Sequence, residues 1–330
     1  MPYFFYFWFT VARFLARLVR VRRAAARHTA AYLHEMEREL NGVFDEATFQ
    51  KVVNSHSLYL PIVNDSFSAL HGRYTNAAEQ ERSIHYFICS SLLDNFFDHG
   101  TLSPQQVNAI VFEPGAYSPQ NFDERAFLFS HLFLLRDMKH WQAYGRVLRD
   151  VVQAQSDSLR QFDPQITDEE IQCITFSKGG NSVLLCRYYL DSDACEAEEQ
   201  CWYRLGTLIQ LCNDLVDIYK DRQDGIQTLP ARCTDAEALA ALFNKQLKGF
   251  HEQVALLPYP RKRKMDFSLA MAGVYSPGLV AIDNLRKLQA GAESLPPPDQ
   301  VPRKALILDM EKPANIARWI RYVYRHAWRG

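Results

Sequence analysis

Leu205-Gly206-Thr207-Leu208-Ile209-Gln210-Leu211-Cys212-Asn213-Asp214-Leu215-Val216-Asp217-Ile218-Tyr219-Lys220-Asp221 is the stretch of this 330-residue chain that carries the most information. Asn213, Asp217 and Asp221 recur at i, i+4 and i+8. On a helix turning about 100° per residue, these three and Asp214 fall within about a 100° arc. Like charges at that spacing repel, and the residues before them are apolar, so a plain solvated surface accounts poorly for four oxygen-bearing side chains. A hard cation with oxygen ligands resolves the conflict. Mg²⁺ is the usual choice where a substrate brings phosphate oxygens of its own.

A second acidic pair lies upstream in Ser90-Ser91-Leu92-Leu93-Asp94-Asn95-Phe96-Phe97-Asp98-His99-Gly100. Asp94 and Asp98 sit about 40° apart on one helical face. Ile84 to Leu93 is largely apolar, so acids at its end must meet water, a cation or a partner. Taken alone, this pair reads better as the solvated end of a helix. Neither acidic set has enough Lys or Arg beside it in sequence to neutralise it.

Outward from these segments the pattern is helical throughout, with no β-alternating run of useful length. The fold class expected is all-α. Ser103-Pro104-Gln105-Gln106, Thr167-Asp168-Glu169-Glu170 and Thr234-Asp235-Ala236-Glu237 each place Ser or Thr three residues before Gln or Glu, the spacing of a capping box. Gly100, Pro114-Gly115, Gly225, Pro258 with Pro260, and the Pro-rich stretch from Leu295 to Pro302 mark stops. About a dozen helical segments of ordinary length lie between them, without a repeat or a central linker. The simplest division is a basic helix over 1–28, one helical domain over 29–290, and a Pro-rich linker with a basic helix over 291–330.

Asn213-Asp214-Leu215-Val216-Asp217-Ile218-Tyr219-Lys220-Asp221 resembles the second metal motif of class I terpene synthases, with Asp217 in place of Ser or Thr and Asp221 in place of Glu. The longer run from Leu205-Gly206, with Gln210, Asn213, Asp217 and Asp221, is similar to the second motif of squalene and phytoene synthases. Asp94 and Asp98 resemble that group's first motif. Leu93-Asp94-Asn95 resembles the bacterial large-terpene synthases of the same subgroup. The resemblance spans about residues 60 to 230, with the two motifs about 120 residues apart. It implies an isoprenoid synthase-type bundle around a central apolar cavity. It also implies Asp94 and Asp98 facing Asn213, Asp217 and Asp221 as Mg²⁺ ligands around the diphosphate of a prenyl diphosphate substrate. Metals and cations then stabilise the leaving diphosphate, and the cavity shapes the allylic carbocation.

Several cations are candidates for the diphosphate. Lys220 matches the Lys of the terpene-synthase motif, and Arg222 follows it. Lys178 belongs to Ser177-Lys178-Gly179-Gly180-Asn181, where paired glycines interrupt a helical pattern and permit a break or a close backbone approach. Arg321-Tyr322 resembles the C-terminal pair with which some terpene synthases close the site, although a solvated or membrane-facing helix explains the basic face of Arg318, Arg321, Tyr322 and Arg325 as well. There are departures from the family pattern. The Ser-Arg-Ser-Phe element of squalene and phytoene synthases is missing; the nearest stretch, Asn64-Asp65-Ser66-Phe67, has no Arg. His99 stands where an adjacent second acid would extend the first motif, and Thr167 stands where terpene synthases of the commoner subgroup have an Arg. These gaps weaken two-substrate condensation and favour single-substrate ionisation and cyclisation, a carbon–oxygen lyase. A head-to-head prenyltransferase and a catalytically silent scaffold are the alternatives.

The net charge is -1, from 37 basic and 38 acidic residues, which excludes a global basic field for nucleic acid. The charge is uneven. Residues 1–28 hold six arginines (13, 17, 20, 22, 23 and 27) and no acid, so taking those six positives from the net charge leaves -7 on the rest. The apolar run from Pro2 to Ala12 is too short to span a bilayer, and its positive charge follows instead of preceding, the wrong order for a secretory signal. With Arg13, Arg17 and Arg20 at helical spacing, this segment reads either as an amphipathic helix on an anionic membrane or as a helix capping the domain. Seven scattered cysteines without CxxC spacing indicate reduced thiols in a cytoplasmic protein, peripheral to a membrane at most. A homodimer is compatible with all of this.

Overall fold

Capping chemistry sets where many helices begin. The computed structural model describes residues 3–296 and 300–328, and among them there is no strand. Pro2 of the apolar run, residues 297–299 of the Pro-rich stretch and the last two residues of the basic C-terminal segment lie outside the described residues. The all-α class read from the sequence is the fold observed. By their contacts, residues Met1–Arg146 with Leu185–Asp193 form one unit, and Val147–Leu184 with Ala194–Gly330 form a second.

The first unit opens with α1 (Tyr3–Glu39), followed by α2 (Glu46–Tyr59). A π turn over Leu60–Asn64, with Pro61 inside it, leads into α3 (Asp65–Leu70). Then come α4 (Ala77–Asp98), α5 (Pro104–Phe112), α6 (Phe122–Arg136) and the first residues of α7 (Trp141–Ser158). α1 packs on α2, α2 on α4, and α4 on α6. The expected division at residue 28 falls inside α1, which runs unbroken to Glu39 because Thr29, Leu33 and Met36 continue its buried stripe. Arg17 of α1 pairs with the buried carboxylate of Asp65, which also accepts from the Thr75 amide at 3.1 Å and hydroxyl at 2.7 Å. The stretch Asn64 to Phe67 therefore receives from α1 the guanidinium that its own sequence lacks.

The α4 start is a capping box: the Glu79 amide donates to the Asn76 side chain at 2.9 Å, and Glu79 accepts from the Asn76 amide at 2.8 Å. Glu79 is fully buried and receives two bonds from Arg73, at 2.6 and 2.5 Å, and one from the Asp191 amide at 2.6 Å. Arg82 and Asn76 hold the Asp191 carboxylate at 2.6 and 2.7 Å. This charged network, in which each member has partners, ties residues 185–193 to α4.

The second unit contains the rest of α7, α8 (Asp168–Cys186) as far as Leu184, and α9 (Glu196–Val216). It continues with α10 (Ile218–Asp224), α11 (Leu229–Arg232), α12 (Ala236–Leu256), α13 (Arg261–Gln289), α14 (Arg303–Leu306) and α15 (Pro313–His326). α9 packs against α12 and α13, and α13 against α15. Trp202, Leu205, Leu208, Phe243, Phe250, Met271 and Tyr275 form the buried interior. Among the described residues α13 alone is long and apolar enough to cross a membrane, and 67% of its most apolar window is buried, as in a core helix.

Two of the expected capping boxes form as read, at Ser103 with Gln106 and at Thr167 with Glu170. The third shifts by one residue. Asp235 caps α12, accepting from the Glu237 amide at 3.0 Å and from Gln289 of α13 at 3.2 Å, while the Thr234 carbonyl accepts from the Leu295 amide. All seven cysteines are free; four are buried, and Cys173 is exposed.

The paired glycines do not break α8, which is continuous. They allow close approach instead. A Cβ at Gly206 of α9 would collide with the Gly179 carbonyl oxygen, a Cβ at Gly179 would stand 2.5 Å from the Gly206 carbonyl oxygen, and one at Gly180 would stand 2.5 Å from the Tyr203 ring. Alanine ordinarily stabilises a helix interior relative to glycine. At Gly206 the sign reverses, because the added methyl meets backbone that cannot swing away. Gly206→Ala is expected to cost about 1–3 kcal/mol in urea unfolding. Gly115→Ala, with nothing within 4 Å of its new Cβ, stays within about 0.5 kcal/mol.

Candidate functional site

The α8–α9 crossing brings the Thr175 face of α8 onto the acidic end of α9. Asp214 is buried there; its carboxylate accepts from Gln210 Nε2 at 2.8 Å and from Thr175 Oγ1 at 3.3 Å. Lys178, half-buried and one residue before Gly179, is near enough for its charge to act on Asp214.

The stretch expected as one helix bends at Asp217. α9 ends at Val216, Asp217 adopts φ -94° and ψ 8°, and α10 resumes at Ile218. The ladder survives the bend: the Asp217 amide donates to the Asn213 carbonyl and the Asp221 amide to the Asp217 carbonyl, both at 2.8 Å. Asn213 and Asp217 are exposed, whereas Asp221 is buried beside Asp214's side of the helix. Asp221 accepts from Thr228 Oγ1 at 3.1 Å, and the same hydroxyl caps α11 by accepting from the Ala231 amide at 3.3 Å. Gly225, at φ 73°, makes the left-handed turn that ends α10.

Two carboxylates in one low-dielectric patch cannot both ionise freely. Burial pushes Asp214 up to about 7, with the Asp221 charge adding to the rise; Gln210, Thr175 and Lys178 oppose it. Burial likewise pushes Asp221 up to about 6. Thr228 and Lys220 oppose that rise, while Asp217 and Asp224 add to it. The patch therefore combines Asn213, Asp214, Asp217 and Asp221 with the cations of Lys178 and Lys220. All its prospective ligands are hard oxygen donors, the chemistry Mg²⁺ prefers. Among the described residues, however, no group of three or more His, Cys, Asp or Glu is drawn close enough to hold a metal by itself.

The other expected diphosphate contacts are divided between protein partners and solvent. Arg222 Nε donates to the Ala231 carbonyl at 2.9 Å, which ties α10 to α11. Tyr322 donates to Asp283 of α13 at 2.6 Å, and Arg318 of the same helix donates to Asn284 at 2.8 Å. Arg321 and Arg325 are exposed on α15. The basic face read from the sequence is thus divided between α13 and solvent.

Asp94 and Asp98 belong to the first unit, on the last turn of α4. Asp98 is exposed and closes the helix before Gly100, at φ 59°. Asp94 is half-buried and receives an ion pair from Lys51 of α2 at 2.8 Å; its neighbour Asn95 donates to Thr48 at 2.8 Å. Asp94 of this pair therefore has a neutralising cation, brought by folding and not by its sequence neighbours. Lys51 lies 43 positions earlier, and no local spacing signals it. Sequence reasoning also left Asp214 out of the ligand set, although its place in the helical arc marked it, and it missed Thr175 and Thr228, which only folding brings near. Compared with models of known families and with characterised proteins, the sequence matches none.

The raised carboxylate values fix a sign. A folded-state pKa above the unfolded value near 3.8 means that the native protein holds protons the unfolded chain has released. Stability from Asp214 is therefore present at low pH and lost as pH rises through about 7. Buried His56 and His85, held neutral to about 3, give the opposite slope below the ordinary histidine range. The clean readout is thus a difference. In urea unfolding with EDTA, the stability of Asp214→Asn relative to wild type is expected to increase from pH 5 to pH 8. A difference that stays flat across this range refutes the buried-acid assignment.

Proposed function

We propose that this protein is a Mg²⁺-dependent class I isoprenoid synthase that ionises a prenyl diphosphate and releases diphosphate with formation of a terpene. The observation that carries this reading is the pair of buried, mutually repelling carboxylates Asp214 and Asp221. They are flanked by exposed Asn213 and Asp217 and bordered by Lys178 and Lys220. A patch of acids held at raised pKa with cations beside it suits a site whose resting charge is completed by a ligand. The resemblance of Asn213 to Asp221 to the second metal motif supports the same chemistry.

Asn213, Asp217 and Asp221 would hold the metal, with Asp214 behind them setting the charge of the patch through Gln210 and Thr175. When bound, Mg²⁺ supplies positive charge to the diphosphate oxygens. Lys220 and Lys178 add hydrogen-bond donors where negative charge develops. The carbon–oxygen bond of the substrate then breaks with its electron pair leaving on diphosphate. The allylic cation would be quenched by an internal double bond and by loss of a proton from carbon to the released diphosphate.

Incubating the purified chain and Mg²⁺ with prenyl diphosphates of increasing length is the direct test, with diphosphate release and an extractable terpene expected. A product of doubled chain length assigns head-to-head condensation instead, and no turnover on any substrate favours the silent scaffold. Asp217→Asn and Asp221→Asn are expected to lower turnover roughly a hundredfold or more while leaving Tm in EDTA unchanged or raised, since each removes a repelling charge. Asp94→Asn and Asp98→Asn in the first unit are the companion variants and should also lower turnover. A marked fall in Tm with activity per folded molecule intact would reject the catalytic role and make the acids structural ion-pair partners.

A further inference from the structure

We propose that the outer face of α1 docks the protein on a membrane surface carrying anionic lipid. The inner face is already committed. Phe7, Thr10, Ala25, Thr29, Leu33 and Met36 are buried. Arg17 is held by Asp65 and stacks 3.4 Å from the Tyr74 ring centroid, and Thr29 shares a 2.7 Å hydrogen bond with His56. These contacts fix which side of the helix points outward.

That outer side is apolar for its first four turns. Phe4, Phe5, Trp8, Phe9, Leu15 and Val19 are 40–63% exposed. At about 100° per residue they lie within about a 140° arc, over a length of about 22 Å. Single exposed apolar residues are ordinary; a contiguous stripe of six, four of them aromatic, marks a surface that something covers. The same side then turns basic. Arg20, Arg22, Arg23 and Arg27 are exposed, and the first acid of the chain is Glu35. Aromatics followed along one face by arginines match the depth profile of a lipid interface, with rings at the headgroup and acyl boundary and guanidinium groups among phosphates. Because the opposite face is packed on its own unit, the helix can lie in the plane of the surface but cannot span it. A second copy of the chain is the poorer occupant: residues 1–28 offer no acid to meet the partner's arginines.

The test uses the full chain in sedimentation with vesicles of phosphatidylcholine alone and of phosphatidylcholine with phosphatidylglycerol in equal parts. Wild type is expected to bind the mixed vesicles at least about tenfold more tightly, with the difference shrinking at high salt. Arg20→Gln combined with Arg22→Gln, Arg23→Gln and Arg27→Gln should remove the salt-sensitive difference. Phe5→Ser combined with Trp8→Ser and Phe9→Ser should abolish binding to both vesicle types. Every replaced side chain is exposed, so Tm should hold in both variants and a folding failure would be visible. Equal binding of wild type to the two vesicle types overturns the proposal, as does binding that survives the aromatic replacements. Concentration-dependent dimerisation lost in the aromatic variant, without vesicle binding, would also overturn it and make the face a contact between copies.

Discussion

The contact of Gly179 and Gly180 with Gly206 is the constraint on which the second unit's chemistry depends. Two helices whose backbones touch leave no room for side chains at the crossing, so flanking residues within about two turns are brought together. Thr175 and Lys178 on one helix thereby reach Asp214 on the other. Without that approach Asp214 would lose one of its two hydrogen bonds and the opposing charge, and its burial would be harder to sustain. The glycines cost helix propensity at each position, and the structure recovers it through contact between the helices.

Ionising Asp214 and Asp221 in this setting costs stability. An amide at either position would remove the charge and its repulsion, but at Asp214 it would keep only one of the two acceptor oxygens that Gln210 and Thr175 use. The acids therefore hold electrostatic tension that protonation relieves. The bend at Asp217 belongs to the same economy of charge. It leaves Asn213 and Asp217 at the surface, where solvent or a ligand can reach them, while Asp221 stays covered.

Legibility in the sequence followed the range of the interaction. The capping boxes at Ser103 and Thr167 involve partners three residues apart and could be read directly. At Thr234 and Asp235 two good caps stand side by side, and the choice between them is made with help from Gln289, 54 residues on. The acidic arc of Asn213 to Asp221 was visible as a helical pattern, yet the pattern could not say which members would be buried, because that is decided by the neighbouring α8 and α11. The clasp of Arg222 on Ala231 and the pairing of Lys51 with Asp94 are tertiary events with no local signature. The glycine pair at 179 and 180 announced either a break or a close approach, and the resolving partner, Gly206, lay in another helix.

The buried network around Glu79 has a consequence for the order of biosynthesis. Its last member, the amide of Asp191, lies 112 residues after Glu79 in the chain. At about 5–20 residues per second a ribosome needs roughly 6–22 s to supply it. At the start of that interval only α1 to α3 are complete, and even when α6 is finished the nascent first unit lacks the strip over residues 185–193 that closes it, so its completion must wait until all of α8 has been made. A truncation anywhere between these points would release a polypeptide whose own first unit is unfinished, with the aromatic stripe of α1 exposed to whatever apolar surface the cell presents.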